Sequence, residues 1–322
     1  MTIGSRPLQA QTHSRHFHGA ERLKLFWALS RTPHGLIDMT TPCLAALLWL
    51  GAYPPFLTIL VGLLTVFAGY TAVYALNDIV GYRSDQAKLK AGGFNNDVHA
   101  NDLDALLVRH PMAQGLLPFR DGVVWAAGWG LVAAGGAYWL NPVCLVIFAA
   151  GCLLETVYCI LWRVSPYRVF VSGAVKSVGA LAAVFAVDPH PSSFFLVFLF
   201  LMIFLWEIGG QNAPNDWTDI EEDRKFGART IPVIFGQNKT RDIILGSLFF
   251  AVLANLVLFR LSQAHFGPLA LTATAGVGFY LLLWPAWQLH GSTRKADAMR
   301  LFNRASYYPL ALFVIVALRL LV

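Results

Sequence analysis

Charge is scarce in this chain. Only 13% of its 322 residues are charged and 57% are hydrophobic, whereas soluble domains carry about a quarter charged residues. Most side chains must therefore face lipid or other helices, which excludes an ordinary soluble domain. Short segments of alternating hydrophobicity are missing as well, and with them the signature of a transmembrane β-barrel. Cysteine is sparse: Cys43, Cys144, Cys152 and Cys159 all sit in apolar runs without zinc-type spacing, so they are expected to be small packing residues. The basic N-terminus is not followed by a short apolar stretch with a small-residue cleavage site, and no signal peptide is expected. The net charge of +6 is explained by where the positive residues lie, so no nucleic-acid partner is expected.

What is present is a series of long apolar runs. Spans are predicted at 35–52, 55–77, 122–140, 142–162, 169–187, 193–214, 242–262, 267–288 and 304–321, each near the ~20 residues a bilayer needs. The fold class is therefore all-α: a polytopic membrane protein of nine transmembrane helices around a central, cytoplasm-facing cavity. Residues 1–33 read as a polar tail, with His13, His16 and His18 in a disordered stretch, and 34–322 as one membrane domain. Basic residues occupy alternate connections: the tail, 79–121, 163–168, 215–241 and 289–304. The positive-inside rule puts these on the cytoplasmic side, with the N-terminus inside and the C-terminus opposite. The two long loops on that side are expected to be functional, and 97–109 to form a short amphipathic helix over the cavity mouth.

Each of those loops opens with an acidic stretch. The second reads Asn215-Asp216-Trp217-Thr218-Asp219-Ile220-Glu221-Glu222-Asp223 and runs on to Gly227, Thr230 and Pro232. In a continuous helix Asp216, Asp219 and Asp223 would share one face. Three converging carboxylates at a membrane mouth call for a strong counter-charge, and Mg2+, shared with substrate phosphates, suits hard oxygen donors. The first copy, Asn77-Asp78-Ile79-Val80-Gly81-Tyr82-Arg83-Ser84-Asp85, has the same frame, and Asp78 and Asp85 share a face. Asn77 and Asn215 precede an Asp in both copies; each carboxamide either ligates the metal or caps the turn, and the recurrence argues for ligation.

The pair resembles the two signature motifs of the UbiA superfamily of intramembrane prenyltransferases, and the second copy matches through G-x-x-T-x-P. The first departs from the pattern, with Gly81 where the family has a middle Asp. The resemblance implies that Asp78, Asp85, Asp216, Asp219 and Asp223 bind Mg2+ and the diphosphate of an isoprenoid donor. A prenyl group would then pass, as an allylic cation, to a lipophilic acceptor, often aromatic. Arg109-His110-Pro111 resembles the family's R-P segment with His110 inserted. Arg109 is the expected phosphate contact, with Arg83 and Arg229 as adjacent candidates.

Lys176 is the one cation inside the spans; it either touches the diphosphate or pairs with a carboxylate such as Glu155 or Glu207. Asp38, Glu155 and Glu207 are its candidate partners, or orient the acceptor. Tyr70, Tyr74 and Trp206 either face the allylic cation or simply pack. Two other readings stand beside transfer. A membrane terpene cyclase would use the donor's own double bond. An ion-coupled transporter would use the aspartates as ion ligands, but such sites lie near the bilayer midplane.

Overall fold

The computed structural model describes residues 19–92 and 107–321, and among them every element is helical. The histidines of the tail and positions 97–106 of the expected capping helix lie outside the described residues. Eight helices are long and apolar enough to cross a bilayer: Phe56–Lys90, Phe119–Leu140, Pro142–Arg163, Arg168–Val187, Ser193–Thr218, Ile231–Leu261, Pro268–His290 and Lys295–Leu321. Each coincides with a span expected from the sequence. The protein is an integral, polytopic membrane protein.

The ninth expected span, 35–52, is a broken pair: α2 (Thr32–Asp38) and α3 (Thr40–Leu50) follow α1 (Ala20–Leu29). Pro42 has no amide to offer the Asp38 carbonyl one turn back, so the helix breaks at Met39. α4 (Phe56–Lys90) is the longest rod and carries the whole first motif. It packs on α5 (Phe119–Leu140) through small residues, Ala68 and Ala72 on one side and Ala133 and Ala137 on the other, all buried. Small faces let helices approach closely where lipid gives no hydrophobic driving force.

α6 (Pro142–Ile160), α7 (Arg168–Val187) and α8 (Ser193–Trp206) follow. A wide π turn, Glu207–Asn212, then leads into α9 (Ala213–Thr218) and α10 (Ile220–Lys225). Pro214 cannot donate to Gly210, and the ladder shifts to the wider register there. α11 (Ile231–Leu261) is interrupted at Gly236. α12 (Pro268–Gly278) and α13 (Trp284–His290) flank a second π turn, Phe279–Leu283, ahead of Pro285 for the same reason. α14 (Lys295–Ser306) and α15 (Tyr308–Leu321) close the chain and break before Pro309. The main core lies among α3, α7, α8, α11 and α13 to α15, centred on Ile203, Trp206, Leu248 and Tyr308.

Candidate active site

One cavity of about 1240 Å3 runs beside this core. Its lining reaches from Asp85 on α4 back to Ile59, about 39 Å along a helix rising 1.5 Å per residue. Asp78, Asp85, Asp216, Asp219 and Asp223 line one end, and Ile59, Leu140, Val187 and Phe313 line apolar parts of the wall. The five aspartates named by the motifs thus border one space.

The second motif is not one continuous helix. α9 ends and α10 begins at Asp219, whose φ of −102° and ψ of 11° break the turn. The Thr218 hydroxyl donates to the Asn215 carbonyl at 2.7 Å and competes with the helical ladder. All three aspartates nevertheless reach the cavity. The trailing residues hold Asp223: Gly227 turns the chain at φ 69°, and the buried Thr230 hydroxyl donates to Asp223 Oδ2 at 3.0 Å. Burial, then the neighbouring charge of Asp216, push the Asp223 carboxyl up to about 7. Asp216 is claimed by a residue whose charge, in the sequence, bore only on topology. Arg168, at the mouth of α7, donates to Asp216 Oδ1 at 2.7 Å and lies 4.7 Å from the Tyr158 ring centroid. Its only sequence signal was a cation directly at the start of an apolar run.

The first motif gains a third member. Residues 109–117 form a tight turn pinned by Met112 and Leu117, both 2% exposed, against Leu29 and Ala75. The turn holds His110 in the left-handed region, φ 49°, with Nδ1 3.0 Å from Asp78 Oδ1 and 3.2 Å from Asp85 Oδ2. Among the described residues these three form the one group whose metal-capable atoms all lie within 4.8 Å of one another. Gly81 belongs to the same arrangement: a Cβ there would stand 3.2 Å from Asp85 Oδ2. The group that comes close to Gly81 is therefore Asp85 itself. The insertion of His110 between Arg109 and Pro111 was visible in the sequence; its destination was not.

The other expected residues divide. Arg109 lines the cavity, as do Asn77, Asn215, Lys176 and Tyr74, whereas Arg83 and Arg229 are exposed outside its lining. The Asn77 amide donates to Glu155 Oε1 at 2.5 Å, so its nitrogen holds that carboxylate. Lys176 reaches neither Glu155 nor Glu207 as its close partner but Asp38, at 2.6 Å, and Asp38 also accepts the Tyr74 hydroxyl. Glu207 accepts from Ser172 at 2.6 Å. Trp206 lies in the core outside the cavity lining: its Nε1 donates at 2.9 Å to the Ala305 carbonyl, a group Pro309 has no amide to satisfy. Lys88, between the motifs, forms an ion pair with Glu222 at 3.0 Å, and Lys225 donates to the Ala91 carbonyl at 2.7 Å. These two contacts tie the ends of the motifs together.

The oxygen donors of the second motif suit Mg2+. That ion keeps several waters and takes one or two protein carboxylates beside substrate phosphates, so three fully converged protein ligands are not required at the second motif.

A model of the UbiA prenyltransferase family matches residues 39–307. A protoheme IX farnesyltransferase from Shewanella amazonensis is 26% identical over 304 residues, covering 89% of this chain and 94% of its own. A 4-hydroxybenzoate octaprenyltransferase from Shewanella sediminis is 25% identical over 240 residues, covering 73% and 76%. Among solved structures, a UbiA homolog from Archaeoglobus fulgidus bound to DMAPP and Mg2+ shares the fold, with a TM-score of 0.65 at 12% identity over 91% of this chain and 99% of that one.

Proposed function

The chain belongs to the UbiA prenyltransferase family, and from that premise we propose that it transfers a prenyl group from an isoprenoid diphosphate to a lipophilic, aromatic acceptor with Mg2+ as cofactor. The observation that carries this reading is the single cavity: both aspartate motifs border it, and apolar wall continues away from them. A diphosphate headgroup and a long hydrocarbon tail need that combination.

Asp78, Asp85, Asp216, Asp219 and Asp223 would hold the metal, with the Asn77 and Asn215 carbonyl oxygens beside them. Bound there, Mg2+ supplies Lewis-acid neutralisation of the departing diphosphate. Arg109 contributes a guanidinium to the same oxygens. Lys176, held by Asp38, positions the wall below rather than the headgroup. The bond from the prenyl carbon to oxygen breaks, and the electron pair leaves with the diphosphate. Tyr70 and Tyr74, on the cavity wall, face positive charge with their rings, and apolar residues keep water from quenching it. The acceptor carbon then bonds to the prenyl carbon and loses a proton; Glu155 and Glu207 are the cavity-lining carboxylates able to take it.

The alternating basic connections support a cytoplasmic mouth and N-terminus, with the α2–α3 pair completing an odd number of crossings. Mass spectrometry of products from the purified chain in lipid nanodiscs, with Mg2+ and a panel of prenyl diphosphates and aromatic acceptors, tests the proposal. A covalent prenyl–acceptor adduct is expected. Diphosphate release with a hydrocarbon product and no acceptor would replace transfer by cyclisation, and no release at all would sink both.

A further inference from the structure

The first motif lacks one carboxylate, and a different side chain stands in its neighbourhood. His110 Nδ1 is 3.0 Å from Asp78 Oδ1 and 3.2 Å from Asp85 Oδ2. An octahedral ion with bonds of about 2.1 Å sets adjacent donors roughly 3.0 Å apart, so both nitrogen–oxygen separations match those of neighbouring ligands, and all three groups have donor atoms within 4.8 Å of one another. Gly81 gives Asp85 room in this arrangement: a Cβ there would stand 3.2 Å from Asp85 Oδ2, and that carboxylate would have to give by a few tenths of an ångström. Met112 and Leu117, buried in a small core, fix the turn that delivers the ring.

We propose that His110 replaces the missing carboxylate and makes the first motif a two-carboxylate, one-imidazole centre that selects a first-row divalent ion such as Mn2+ over Mg2+. The inference rests on the reading of these motifs as metal sites for a diphosphate. Its chemical ground is the donor set. Imidazole nitrogen is a borderline ligand that first-row transition ions accept readily, whereas Mg2+ favours oxygen alone. The second motif offers only oxygen donors, Asp216, Asp219, Asp223 and Asn215, and stays suited to Mg2+. Arg31 lies 4.0 Å from Asp78 Oδ1, and Lys88, which also bears on Asp85, is paired with Glu222 at 3.0 Å, so the two carboxylates keep negative charge for a divalent ion.

The test is pulsed EPR of Mn2+ bound to the full chain in nanodiscs, without substrate and with excess Mg2+ present to fill oxygen-only sites. Nitrogen hyperfine coupling to the bound Mn2+ is expected, and it should change from the 14N to the 15N pattern when histidine alone is 15N-labelled. The coupling should persist in His34→Gln and vanish in His110→Ala. His110→Ala should also lose on the order of tenfold or more of the Mn2+ over Mg2+ preference. Gly81→Asp combined with His110→Ala should bind Mg2+ at least as well as the parent. Because the labelling uses the unaltered protein, a misfolded variant does not decide the matter. Bound Mn2+ without nitrogen coupling, coupling that survives His110→Ala, or no Mn2+ retained against excess Mg2+ would each overturn the proposal. No substrate is present, so nitrogen coupling in a chain that makes no prenyl adduct would leave this inference standing and count against the functional reading alone.

Discussion

Arg168 and Asp216 form the ion pair on which the second motif turns, and replacing Arg168 by methionine separates its two roles. Both side chains are buried, 9% and 6% exposed, and 2.7 Å apart. Taking away the guanidinium leaves a largely buried carboxylate without its close partner, which costs up to about 3–5 kcal/mol. For 322 residues, at an unfolding entropy of roughly 2 cal/mol/K per residue, that corresponds to a fall of up to about 5–8 °C in melting temperature. Asp216→Asn leaves the cation instead, but Arg168 keeps the Tyr158 ring, 4.7 Å away, and its loss should be smaller. The double variant Arg168→Met/Asp216→Asn removes both charges and should recover most of the loss, giving a coupling energy of about 2–3 kcal/mol. Magnesium sharpens the test, since a bound cation supplies the counter-charge that the uncharged methionine side chain cannot. The rise in melting temperature on adding Mg2+ should therefore be larger in Arg168→Met than in the parent. The assay is thermal unfolding in detergent followed by size-exclusion fluorescence, with and without Mg2+. If Arg168→Met melts within about 1 °C of the parent under both conditions, the pair does not hold the motif together.

Asp223, pushed up to about 7 by burial and by Asp216, gives opposite pH trends with and without metal. Metal binds the ionised carboxylate, so Mg2+ affinity measured by calorimetry should fall about tenfold per pH unit below 7. Without metal the raised value favours the neutral acid in the fold, so the melting temperature should drop as pH rises through 7; matching trends would refute the assignment. Gly81→Ala and Gly81→Asp should both impair initial rates at limiting divalent ion, and rates equal to the parent at every concentration would remove Gly81 from the site. Asp216→Ala should lose activity by orders of magnitude in a well-folded protein, and near-normal turnover would sink the metal role. A reporter fused after Val322 should read opposite to one inserted at Ser292; the same side for both would contradict the crossing count.

The sequence made the membrane spans legible because a bilayer demands long apolar runs, and all eight long helices fall where those runs lie. Prolines marked where helices bend, but not how. Pro42 splits one span into α2 and α3, whereas Pro214 widens a turn and leaves its span continuous. The aspartates were legible through their repeat. Arg168 and His110 were not, because each acts across a gap in sequence: Arg168 lies 48 residues from Asp216 and His110 lies 32 from Asp78. Trp206 misled for a related reason. Spacing put it a turn or more into the span from the motif, but the direction of an aromatic ring depends on the carbonyl it can reach, here Ala305 on a distant helix.

The π turn at Glu207–Asn212 has a consequence for how this chain can vary. At its first residue Glu207 accepts from Ser172, and beyond its end Asp216 accepts from Arg168; both donors stand on α7. Each residue advances a helix by about 100°, so removing a single residue between those contacts would turn everything beyond it by that angle. Glu207 and Asp216 could then no longer reach the same helix together, and the acidic stretch would swing away from the space it borders. Chain length across 207–216 therefore behaves as a rotational phase. Substitutions there can be graded, but insertions and deletions are all-or-none, and homologous chains that keep both contacts must keep the residue count between them.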